Sequence, residues 1–176
     1  MSKVIFETDR LIVRHLLPDD LAPMLDVYGD ADAMRWVGDG QAITEAQCRR
    51  WLEVTEDNYR RRGYGMSALV ERSSGEVVGF CGLVHPGGQP EAEIKYALKR
   101  RCWGRGFATE AARAMLLYGA RVKGLRCVIA TAAPENLASH RVLTKAGMSA
   151  TELRANEDGT HTQVFAWDAG PGTVVP

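Results

Sequence analysis

The sequence has no excess of either charge: 22 basic residues stand against 22 acidic ones in 176, so no overall field draws the chain to nucleic acid or to an anionic membrane. It has no CxxC pair and no histidine cluster. Cys48, Cys81, Cys102 and Cys127 are far apart, which points away from a zinc site and from a disulfide framework. Cys81 and Cys127 sit in apolar runs and read as small buried hydrophobes; Cys102, inside a glycine loop, is the one with a candidate reactive role. No apolar run approaches the roughly 18 residues of a membrane span, and the first residues hold no signal-peptide core, so a cytoplasmic protein is expected. GxxxxGK followed by Ser or Thr is missing too, which removes a P-loop.

What is present centres on Arg101-Cys102-Trp103-Gly104-Arg105-Gly106-Phe107-Ala108-Thr109-Glu110-Ala111, placed after one expected strand and at the start of an expected helix. Gly104 and Gly106 allow a tight turn and close approach of a ligand, and the first amides of the helix lack partners. With the helix dipole, with Arg101 and Arg105 adding charge, and with no acidic residue between Lys99 and Thr109, this is an anion site. A dinucleotide fingerprint fits less well. Its third glycine position holds Thr109, and the next strand ends Ala130-Thr131-Ala132 without a carboxylate.

The length suits one domain, taken as residues 1–168, followed by a glycine- and proline-rich tail at 169–176 expected to be disordered. Arg10–Arg14 reads as a strand and Pro18 as the first turn of a helix running to about Tyr28. Thr44 with Gln47 is a capping box opening a second helix. Tyr64–Glu71 and Glu76–His85 form a hairpin. In Glu91–Leu98, alternation puts Glu91, Glu93 and Lys95 on a polar face opposite Ala92, Ile94 and Tyr96. A helix over Gly106–Val122 then leads to a buried strand, Arg126–Thr131, so that strand, helix and strand form a parallel crossover. Asn136 caps a short helix that stops at Gly147, and two strands, Met148–Asn156 and Thr160–Asp168, complete the domain.

RxxGxG at Arg101–Gly106 and PxNxxSxxVLxKxG at Pro134–Gly147, in this order of elements, resemble the GNAT superfamily of acetyl-CoA-dependent N-acetyltransferases. Thr8-Asp9-Arg10-Leu11-Ile12-Val13-Arg14 and Trp103–Ala111 resemble its RimJ/RimL-type branch. The resemblance implies an α+β fold: a twisted, mostly antiparallel sheet of about seven strands with about four helices, the fourth and fifth expected strands splayed apart. It implies acetyl-CoA as co-substrate, with the coenzyme A diphosphate on amides from Trp103 to Ala108, continuing to Thr109, and pantetheine along Tyr96, Ala97 and Leu98 and beside Asn136. Asn136 could equally be a helix cap, and both roles can hold.

Acetyl transfer from a thioester to an amine calls for no metal and no covalent intermediate. It needs a proton acceptor for the amine, a donor to the oxyanion and a donor to the departing sulfur. By analogy the oxyanion donor is a backbone N–H near Leu98. Ser139 stands where many GNAT members carry tyrosine, and is the candidate donor to sulfur; a plain helix position is the alternative. Glu93 is the candidate base, against a solvated or salt-bridged strand carboxylate, and His85 could replace it. Glu110 reads as a first-turn carboxylate that suits the helix dipole. Arg35, Trp36, Tyr64 and His85 are candidates for the acceptor wall, with core packing the alternative for Trp36. The expected reaction is acetylation of a primary amine, a polypeptide N-terminus or a small amine, by a monomer or homodimer. A non-catalytic acyl-CoA-binding module is the rival reading.

Overall fold

The computed structural model describes residues 2–173; Met1 and residues 174–176 lie outside this range. Eight strands form one sheet in the order β1-β2-β3-β4-β5-β6-β8-β7. They are β1 (Val4–Glu7), β2 (Leu11–His15), β3 (Met66–Glu71), β4 (Val77–Val84), β5 (Ala92–Leu98), β6 (Cys127–Ala132), β7 (Ser149–Ala155) and β8 (His161–Asp168). Every neighbouring pair is antiparallel except β5 and β6, which are parallel and joined through α4 (Phe107–Lys123). The hairpins need only short turns, whereas the parallel pair needs the long crossover.

The remaining helices are α1 (Leu21–Tyr28), α2 (Ala31–Met34), α3 (Glu45–Arg62) and α5 (Leu137–Ala146). Helices α4 and α5 cover one face of the sheet. Phe107, Ala111, Ala112, Met115 and Leu116 recur at helical spacing and pack with Leu83, Ile94, Val128 and Phe165. Helices α1, α2 and α3 cover the other face, where Met24, Tyr28, Met34 and Cys48 meet Ala68 and Phe80. The expected capping box is present: Thr44 Oγ1 accepts from Gln47 N–H, and Gln47 Oε1 accepts from Thr44 N–H.

Several details depart from the sequence reading. Strand β1 is additional, and with α2 it raises the elements to eight strands and five α-helices among the described residues. Cys127 is exposed, because it lies at the first, outer position of β6, whereas Cys102 is buried in the core at 3% exposure and is no reactive thiol. The polar face of β5 is solvated only in part: Glu91 is exposed, whereas Glu93 is 3% exposed where β5 still pairs with β6. Gly170–Thr173 close a turn, and the rest of the expected disordered tail, residues 174–176, lies outside the described residues. No described helix is long and apolar enough to cross a membrane.

Candidate functional site: a gap between two parallel strands and the loop at its end

Strands β5 and β6 pair only at Ala92 with Val128 and Glu93 with Ile129, and from Ile94 onward they diverge. On its other edge β5 is fully paired with β4. Lys99 N–H donates to Val78 O, and antiparallel ladders alternate, so the odd residues of β5 give their backbone groups to β4. The even ones, Ile94, Tyr96 and Leu98, turn theirs toward the gap. Trp103 Nε1 donates to one of these, Leu98 O, at 3.0 Å, which ties the following loop to the strand end.

That loop begins with a 3-10 turn at Arg100–Cys102, anchored by the buried Cys102. Gly104 (φ +71°) and Gly106 (φ +81°) then adopt left-handed conformations that other residues avoid. The Trp103 amide donates to Arg100 O and the Glu110 amide to Gly106 O. Between them, the amides of Gly104, Arg105, Gly106, Phe107, Ala108 and Thr109 have no protein acceptor among the described residues. Six successive unpaired donors at the N-terminus of a 17-residue helix make a candidate anion cradle. The Phe107 side chain is buried at 1%, so it contributes its amide and not its ring to this row.

The arginines of the motif do not add free charge to this cradle. Arg101 pairs with Glu76 at 3.1 Å, and Arg105 pairs with Glu71. Arg105 and Arg10 also lie over the Phe107 ring at 4.5 and 4.6 Å. The Ser74 hydroxyl and the Arg105 guanidinium hold the Glu71 carboxyl below its ordinary range, against a smaller effect of burial. These carboxylates come from the β3–β4 turn region, which local sequence did not connect with the loop. Glu110 is more than a dipole partner, since it accepts hydrogen bonds from Thr8 Oγ1, Arg10 N–H and Arg10 Nε and fixes the start of α4 to the β1–β2 turn.

A groove of about 2070 Å³ runs through the gap and is lined by Tyr96, Ala97, Leu98, Trp103, Gly104 and Ala108. Its volume exceeds the roughly 300–1,000 Å³ of ordinary small-molecule pockets. Asn136 and Ser139 line it as well. Asn136 Oδ1 accepts from Ser139 N–H at 3.2 Å, so the cap role is real. The Ser139 hydroxyl lies 2.7 Å from the Tyr96 hydroxyl, a contact the sequence reading missed because the residues are far apart in the chain and only the Tyr96 backbone was considered. Burial pushes the Tyr96 hydroxyl up to about 12, with the hydrogen bond to Ser139 acting in the opposite direction.

Glu93 lies just behind the groove wall. Its Oε1 accepts from Thr131 Oγ1 and pairs with Lys95 Nζ, and its Oε2 accepts from Gln89 Nε2 at 3.2 Å. Lys95 and Thr131 themselves line the groove, so Thr131 connects it with the carboxylate. Tyr64 and His85 are not among the residues lining the groove, although Val84 and Pro86 beside His85 are. His85 Nδ1 donates to Gln89 O, so in the neutral ring Nε2 accepts from the Tyr64 hydroxyl at 2.8 Å; this pair braces the turn that carries Gln89. His85 thus bonds to the turn that supplies Gln89 to Glu93.

Arg35 and Trp36 do line the groove, on the side of α1 to α3. Trp36 is 44% exposed, so the core-packing alternative is discarded, and the Arg35 guanidinium lies 5.9 Å from its ring. Trp51 and Val54 add apolar surface to this wall at 38% and 49% exposure. Their position along α3 was visible in the sequence, but not which face of that helix looks onto a cavity. Arg100, also on the wall, pairs with Asp30 and Asp32 and joins the loop to the start of α2. No group of three or more His, Cys, Asp or Glu suited to a metal ion occurs among the described residues.

Comparison with known proteins places these features in a wider set. The family model described as acetyltransferase (GNAT) domain matches residues 10–149. YkkB of Bacillus subtilis (strain 168) is 34% identical over 152 residues, covering 84% of this chain and 86% of that protein. A GNAT-family acetyltransferase from Bacillus anthracis superposes with a TM-score of 0.78 at 24% identity, covering 96% of this chain and 98% of that one. RimL, a ribosomal L7/L12 alpha-N-protein acetyltransferase solved with coenzyme A, superposes at 0.79 with 18% identity, covering 94% and 98%.

Proposed function

The chain belongs to the GNAT family of acetyl-CoA-dependent N-acetyltransferases, and from that premise we propose that it passes the acetyl group directly to a primary amine, either a polypeptide N-terminus or a small amine. The observation that carries this reading is the row of six unpaired amides at the end of β5, opening onto a gap with unspent backbone groups. The first suits a diphosphate and the second an extended amide-bearing arm. In this reading Gly104 to Thr109 grip the phosphates, and the gap side of Tyr96 to Leu98 pairs with pantetheine. The Leu98 N–H is the donor to the oxyanion.

The amine enters from the wall formed by Arg35, Trp36, Trp51 and Val54. Its proton passes to Glu93 through the Thr131 hydroxyl, which lines the groove and already donates to that carboxylate. Lys95 balances the charge of Glu93 before the transfer. The Ser139 hydroxyl donates to the departing sulfur, and Asn136 orients the turn that carries it. A place in the RimJ/RimL-like branch is supported by the Thr8–Arg14 and Trp103–Ala111 segments; the likeness to RimL supports the fold.

Release of free thiol from acetyl-CoA, followed across a panel of peptide N-termini, polyamines and arylalkylamines, tests the proposal. Acceleration by at least one class is expected. Coenzyme A binding with no acceleration by any amine would leave a binding module and end the enzyme assignment.

A further inference from the structure

Tyr96 and Ser139 reach the same point of the groove from different elements, one from β5 and the other from the first turn of α5, with their hydroxyl oxygens 2.7 Å apart. Either hydroxyl can donate, and the Tyr96 hydroxyl also lies 3.5 Å from Ser139 O; a phenol is the better donor and an aliphatic hydroxyl the better acceptor, which favours Tyr96 as donor across the shorter contact. Ser139 Oγ then holds its own hydrogen in another direction. Asn136 Oδ1 is already engaged by the Ser139 amide, and the Ser139 hydroxyl has no other protein partner among the described residues. Ser139 lines the groove, so the groove is open to that hydrogen. Because the phenol stays protonated through and beyond the pH range of an amine-transfer assay, this orientation is constant there.

We propose that Tyr96 is a positioning residue for the leaving group: its phenol donates to Ser139 Oγ and thereby turns the Ser139 hydrogen onto the coenzyme A sulfur. This rests on the reading of the groove as an acetyl-CoA site. As the amine nitrogen bonds to the acetyl carbon, the carbon–sulfur bond breaks and its electron pair remains on sulfur. The thiolate accepts the Ser139 hydrogen bond and takes a proton from water on release, while both hydroxyls keep their own protons. The O–H···O–H arrangement polarises Ser139 and makes it a stronger donor than an isolated serine.

A hydrogen bond to a thiolate lowers the pKa of the corresponding thiol, so the measurement is an ultraviolet titration of the thiolate of bound coenzyme A. In the wild type the bound thiol is expected to titrate about one unit below free coenzyme A. In Tyr96→Phe and in Ser139→Ala it moves back toward the free value, and the double variant moves no further, because both act through one hydrogen. With the best amine, Tyr96→Phe lowers kcat about tenfold with an unchanged KM for acetyl-CoA. Phenylalanine keeps the ring, and unchanged coenzyme A affinity serves as the check on folding. A bound thiol that titrates alike in wild type and Tyr96→Phe overturns the proposal. Failure of coenzyme A to bind overturns the acetyl-CoA reading as well, whereas a lowered thiol pKa with no productive amine removes only the amine assignment.

Discussion

Replacing Gly104 with valine separates the cost of a strained turn from the loss of a ligand site. Gly104 holds φ at +71°, where an L-residue costs about 1–2 kcal/mol and a β-branched one at least as much. A Cβ built there meets no protein atom within 4 Å, so no repacking penalty is added. For a chain of 176 residues each kcal/mol lowers Tm by about 2–4 °C, which predicts a drop of about 2–8 °C. Gly124→Val supplies the control: it has φ +67° and equally open surroundings, but lies at the far end of α4. The two variants should therefore lose similar stability and differ in ligand binding. Valine methyls over the cradle deprive the phosphates of at least two charge-assisted hydrogen bonds, each contributing about 1.5–3 kcal/mol. The loss of about 3–6 kcal/mol weakens coenzyme A binding more than 100-fold. Isothermal titration with coenzyme A measures it. Should Gly104→Val bind within a few-fold of Gly124→Val, the phosphates lie elsewhere and the cradle holds no diphosphate.

Three further outcomes are expected. Asp20 is 3% exposed and receives two hydrogen bonds from Arg14, at 2.7 and 2.8 Å, and one from Leu17 N–H; Asp20→Ala leaves the part-buried Arg14 guanidinium with only His15 O as acceptor and should cost about 2–4 kcal/mol in urea unfolding. A cost under 1 kcal/mol would show that Arg14 finds water instead. Burial alone would raise the Glu110 carboxyl, but the hydrogen bonds from Thr8 and Arg10 together outweigh it and hold the group below its ordinary value. Its contribution is therefore fully present above the ordinary glutamate range and disappears as pH falls through the folded value. Stability measured over a pH series should fall less steeply there for Glu110→Gln than for wild type, and parallel curves would rule out the linkage. Glu93→Gln should lower kcat while leaving coenzyme A affinity in place, and an unchanged pH–rate profile would remove Glu93 from the proton path.

Local signals in the sequence found most of the scaffold. Thr44 and Gln47 marked the start of α3, Asn136 and Gly147 bracketed α5, and Gly104 with Gly106 located the cradle. What escaped was either short or long-range. The four-residue β1 and α2 carry too few positions for a period to show, and β1 is held by pairing with β2. The charge of Arg101 and Arg105 looked available because Glu76 and Glu71, their partners, belong to a hairpin some 25 and 34 residues earlier. Glu93 alternates as a solvated residue does, and only the parallel neighbour β6 reveals that it is enclosed. The meeting of Tyr96 with Ser139, 43 residues apart, likewise depends on the divergence of two strands.

With two residue pairs joining β5 to β6, the sheet is two plates hinged at one corner and bridged chiefly by α4. On the proposed function, a cosubstrate lodged in the opening works as a stave between them. Ligand at 100 times its dissociation constant adds about 2.7 kcal/mol to the folded state. On the proposed function, this opening makes the durability of the polypeptide follow the supply of its cosubstrate.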